Sequence, residues 1–107
     1  MKTRPYIRVS NTVILTASIA SFTPYIQKNA AGTITSAAIS VNGHNGAPLA
    51  YICLRDVYDD MIEAHFKDPD RAPTEAEARR LIADHIENEV LPYIFDGQDL
   101  MHPFYEP

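Results

Sequence analysis

Acidic residues are missing from the first half of this chain: no Asp or Glu occurs before Asp56. Tryptophan is absent throughout, and cysteine occurs once, as Cys53. A single cysteine excludes an intramolecular disulfide and any zinc site built on several thiolates. Its neighbours Ile52 and Leu54 predict a buried structural thiol. No stretch approaches the roughly 20 consecutive apolar residues of a membrane-spanning helix. Lys2, Arg4 and Arg8 before "TVILTASIA" have the outline of a targeting signal. The apolar run is short and interrupted by Thr and Ser, so it reads as a β-strand, and a cytoplasmic location is expected. Also missing are a Gly-rich phosphate loop, a GxSxG elbow and a dinucleotide fingerprint. At 107 residues the chain has material for one hydrophobic core and is expected to form a single domain over 1–107.

What is present is divided by charge. Residues 1–55 carry Lys2, Arg4, Arg8, Lys28 and Arg55 and no acid, a net +5. Residues 56–107 carry all fourteen acids against Lys67, Arg71, Arg79 and Arg80, a net −10. Part of this skew is structural, because strands disfavour Asp and Glu whereas helices accept Glu. Helices ordinarily carry Lys and Glu in comparable numbers, however, so the acidic excess also marks a surface for a charged partner.

Local patterns divide the chain at the same place. "PYIRV" (5–9), "TVILT" (12–16) and "SIASFTPYI" (18–26) are β-rich. The last two read as one bent strand, with Pro24 assigning the second piece to a sheet edge. "KNAAG" (28–32) is a turn. In "TITSAAISV" (33–41), Thr33, Thr35, Ala37, Ile39 and Val41 share one side. "NGHNGAP" (42–48) is a loop, and the apolar "LAYICLR" (49–55) reads as a central strand. Two helices follow. Asp56 with Asp59 predicts a capped start for the first, which runs to Phe66–Lys67. Thr74 with Glu77 is a capping box for the second, which should end before Pro92. Glu75–Arg79 and Arg80–Asp84 are placed to pair along that helix. An aromatic tail, residues 93–107, closes the chain. Runs of strands followed by helices define an α+β fold. The expected form is an antiparallel sheet of three to four strands with two α-helices on one face, in the order β-β-β(-β)-α-α.

Three functional readings arise from this layout. In the first, Asp56, Asp59, Asp60 and Glu63 on the first helix, with Asp84 and Glu87 on the second, form an acidic binding face for a protein with a basic surface. A basic surface is often a nucleic-acid-binding groove. The sharper form is therefore a phage or mobile-element inhibitor of a defence assembly such as a CRISPR effector, with no direct nucleic-acid contact, cofactor or catalytic activity. A chain of net charge −5 with scattered basic residues would itself repel phosphates. In the second, the exposed strand near Pro24 or the aromatic tail makes a homodimer with a structural role. In the third, His65 and His85 lie within the apolar arcs of their helices and Glu89 follows His85 by one turn. Convergence of His65, His85 and Glu89 would assemble a small metal or hydrolytic site. His44, in its Asn/Gly loop, is a further candidate base.

Overall fold

The computed structural model describes residues 3–105. Its α+β order is the expected one, strands first and helices after, but the strands form two sheets. β1 (Tyr6–Val9) and β2 (Thr12–Leu15) make an antiparallel hairpin. Its two-residue turn places Ser10 in the left-handed region at φ 54°, as the twist of such hairpins demands. The expected bent strand is in fact broken. Thr16 anchors to the start of β1, its N–H donating to the Pro5 carbonyl at 2.9 Å and its hydroxyl to the Arg4 carbonyl at 2.6 Å. A single 3₁₀ turn, Thr16–Ser18, then redirects the chain into the second sheet.

That sheet contains β3 (Ile19–Lys28), β4 (Ile34–Gly43) and β5 (Pro48–Cys53), all antiparallel, in the order β3-β4-β5. β3 lies at an edge, as Pro24 implied. The Asn29 side chain shapes the β3–β4 turn by accepting from the Ala31 and Thr33 N–H groups, and Gly32 supplies its positive φ of 83°. The central strand is β4 rather than the more apolar β5. Ala37, Ile39 and Val41 fill the inner face of β4. Its outer face carries Ala38 and Ser40, small enough to be buried beneath Tyr25 of β3 and Tyr51 of β5. Those two rings meet above them with centroids 4.7 Å apart.

α1 (Asp59–Lys67) and α2 (Glu75–His85) pack on the inner face, α1 against β4 and α2 against β3 and β4. Asp56 does not cap α1. The Leu54 carbonyl accepts from the Val57 and Tyr58 N–H groups, and this tight turn leaves Asp56 exposed, two residues ahead of the cap position. Tyr58 occupies the cap position, and its side chain makes no capping bond to the helix. Thr74 does cap α2, accepting the Glu77 N–H at 3.2 Å. The second helix also outlasts its expected end. A π-helical turn (Ile86–Val90) and α3 (Leu91–Phe95) continue it through Pro92. The Leu91 N–H reaches back five residues to the Ile86 carbonyl. That wider turn opens the helix just before Pro92, whose ring would strike the carbonyl four residues back in a regular α-helix.

Both sheets and all helices share one core, in which Ile7, Val9, Ile39, Val41, Ile82, Val90 and Ile94 are fully buried. The tail completes it. Phe104 is buried edge-to-face on Tyr93, with ring centroids 5.4 Å apart. The Tyr105 carbonyl accepts the Cys53 N–H at 2.6 Å, so the tail pairs with the outer edge of β5. Tyr105 itself and Met101 stay exposed.

Candidate functional site

The helices form an antiparallel hairpin, and that arrangement decides which predicted residues meet. At one end His65, buried in α1, donates Nε2–H to the Pro73 carbonyl just before α2. At the other, the Tyr58 hydroxyl donates to the Leu81 carbonyl at 3.0 Å, and the Tyr58 ring meets His85 edge-on at 6.1 Å. The start of α1 is thereby joined to the end of α2. His65 consequently does not reach His85 and Glu89, and the expected triad of the three is not formed. No group of His, Cys, Asp and Glu placed to hold a metal occurs among the described residues.

His102, from the tail, takes the third position. Glu89 Oε1 accepts the His102 backbone N–H at 2.7 Å, and Oε2 lies 3.2 Å from His102 Nδ1 and 3.3 Å from His85 Nε2. A carboxylate only accepts, so Nδ1 of His102 carries the proton of that bond. The His85 and Glu89 side chains are 9% and 11% exposed, so the cluster fastens the tail to the helix from inside. Burial works against the Glu89 carboxylate, but the backbone and ring bonds from His102, with the two imidazoles nearby, hold its pKa below the usual value. Burial pushes His85 down; Glu89 pulls it up, and His102 adds to the lowering. Desolvation outweighs the Glu89 attraction because the ring is nearly enclosed. Tyr58 is raised by burial and by the carboxylates of Asp84 and Glu89.

A pH dependence follows. Both His85 and Glu89 bind protons less readily folded than unfolded. The stabilisation linked to His85 is complete above its ordinary pKa of about 6.5 and is lost as the pH falls through its lower folded value. That linked to Glu89 is lost further into acid. Denaturant melts at pH 7.5 and 5.5 should show lower stability at 5.5, and His85→Gln should flatten that difference. Higher stability at 5.5 would contradict the assignment.

The acidic candidates separate by their partners. Asp59 lies 3.8 Å from Arg55 and Glu63 lies 3.1 Å from Lys67, exposed pairs that partly neutralise both acids. Asp56, Asp60, Asp84 and Glu87 are exposed and have no cationic partner among the described residues. The anticipated Arg80–Asp84 pair is not made, whereas Glu75–Arg79 is, at 3.0 Å. Asp84 acts electrostatically on Tyr58, which begins the turn into α1, so Asp84 belongs to the same end of the hairpin as Asp56 and Asp60. His44 is tied to the 3₁₀ turn, its Nε2 2.8 Å from the Ala17 carbonyl.

His102 was the residue sequence reasoning missed. The signal was a histidine in an aromatic tail that had to dock somewhere, thirteen positions from its partner. Comparison with protein-family models, curated proteins and solved structures finds no match to this chain. Among the described residues no helix is long and apolar enough to cross a membrane.

Proposed function

We propose that this protein is a non-enzymatic binding module whose acidic helical end engages a basic surface of a partner protein in the cytoplasm. The observation that supports it is the set of unneutralised carboxylates, Asp56, Asp60, Asp84 and Glu87, on a pair of helices joined at Tyr58. Carboxylates left without cations repel one another and raise no packing contact of their own, and they steer a basic surface toward them. Basic protein surfaces commonly serve nucleic acid, and a competitor that fills such a groove blocks it. We therefore read the protein as a phage or mobile-element inhibitor of a nucleic-acid-binding defence complex, of the CRISPR effector kind.

The test is affinity capture from host extract with native protein and an Asp60→Lys, Asp84→Lys variant. The partner retained by the native protein should be recovered at least about tenfold less by the variant, because each reversal places like charge against a basic surface. Equal recovery would contradict the proposal.

A further inference from the structure

A cleft of about 270 Å³ opens between the start of β3 and the helix at its π-helical turn. Ile19, Phe22, Ile86, Leu91, Ile94 and Phe95 give it apolar walls. Each wall is shaped by a backbone irregularity. On the strand, Ala20 is the extra residue where the register slips between the Ile19–Gly43 and Ser21–Asn42 pairs. On the helix, the π-helical turn sets Leu91 five residues beyond Ile86 in the hydrogen-bond pattern. Bulges and π-turns recur beside binding sites because they re-aim side chains that regular structure would pack away.

The strand wall also offers free backbone. The Pro24 carbonyl accepts from Arg79 at 3.2 Å, on the open side of β3. The Ala37 carbonyl, opposite Ile26, accepts the Leu54 N–H on the β5 side, so Ile26 likewise turns its polar groups away from β4. Phe22, two residues before Pro24, has the same parity, and its N–H and C=O point outward. Neither has a partner among the described residues. The Phe22 side chain meanwhile packs on the core and lines the cleft. Arg4, whose backbone bonds Thr16 and Ile94 of the lining, turns its guanidinium to the Tyr93 and Gln98 carbonyls, and two acids flank the helix wall. Glu87 follows Ile86 and precedes Leu91 by one turn, Asp96 follows Phe95, and both are exposed without a cationic partner among the described residues. Lys28 and Arg79, farther along the same edge, are paired with Glu75.

We infer that this cleft binds an extended peptide by strand addition, with a bulky apolar residue paired antiparallel to Phe22 and basic residues two positions to either side. The anchor exchanges both backbone hydrogen bonds with Phe22. Directly opposed residues share a face, so its side chain enters the cleft beside the Phe22 ring. Residues two positions away return to that face and reach Glu87 and Asp96. Arg79 on the Pro24 carbonyl limits the addition to this one pair of bonds. The inference rests on the acidic reading of the protein only for the basic flanks.

A fluorescein-labelled, end-capped peptide Lys-Thr-Phe-Thr-Lys, titrated with the full chain and followed by anisotropy, tests it. Saturable binding is expected. Exchanging the peptide Phe for Ala should weaken it at least roughly tenfold, since the anchor is the buried element. N-methylation of that Phe removes the donor to Phe22 and should weaken it at least about fivefold. Glu-Thr-Phe-Thr-Glu should bind at least about fivefold more weakly at low salt. Ala20→Phe, at an exposed position, should fill the cleft and abolish binding, while Asp56→Lys with Asp60→Lys, at the start of α1, should leave it unchanged. Absence of saturable binding, or equal affinity for the N-methyl peptide or for the Ala20→Phe protein, overturns the site. Loss in the Asp56/Asp60 variant overturns it too, by placing the peptide on the acidic end. Equal affinity for Lys- and Glu-flanked peptides overturns the basic flanks.

Discussion

Glu89→Ala is expected to lower the unfolding free energy by about 3 kcal/mol, the scale for removing a mostly buried charged acceptor and stranding its donors. Glu89 is the common acceptor for the His102 backbone and ring and the near neighbour of His85. With alanine there, the His102 N–H faces an apolar methyl, and the tail loses its attachment between α3 and Phe104. Glu89→Gln keeps an oxygen for that N–H but removes the charge, and should lose roughly half as much. Denaturant unfolding gives the magnitudes. Hydrogen exchange gives the location, because the Cys53 N–H bonded to Tyr105 should lose protection before the amides of β4 do. An Ala variant within about 0.5 kcal/mol of the native protein would mean that the cluster does not fasten the tail.

Phe104→Ala should be at least as damaging, about 3–4 kcal/mol, the usual scale for emptying a buried aromatic site. The ring is 7% exposed and stands edge-to-face on Tyr93, while Arg4 lies 4.0 Å from the other partner's ring centre, so Tyr93 is held between a cation and an aromatic edge. Glu89 and Phe104 secure the same segment. Once either anchor is lost, the tail no longer delivers the other's contact in full, so the double variant should be less destabilised than the two single effects combined. Strict additivity would show two independent attachments.

The parts of the fold governed by neighbours in sequence were legible in it. Pro24 announced an edge strand because it lacks the donor that an inner strand needs on both sides. Thr74 and Glu77 announced the start of α2, and the arcs of α1 and α2 announced that His65 and His85 turn inward. Features set by distant residues were hidden. β5 looked central because it is apolar, yet centrality belonged to β4, whose small Ala38 and Ser40 are roofed by tyrosines from the flanking strands. Asp56 looked like a cap until the Leu54 carbonyl closed a turn one residue ahead of the helix. Pro92 looked like a stop because the π-helical turn that accommodates it has no sequence signature of its own. Asp56, Asp60, Asp84 and Glu87 could be named from the sequence, but which acids stay unneutralised could be seen only once side-chain distances separated them from Asp59 and Glu63.

In the proposed function the acidic helical end occupies a nucleic-acid-binding surface of a partner. Titration of that partner's own nucleic acid into the preformed complex, followed by size-exclusion light scattering, tests it most directly. Displacement is expected: the protein leaves as nucleic acid binds, and both complexes weaken as salt is raised. A stable ternary complex, with protein and nucleic acid held at once, would contradict it.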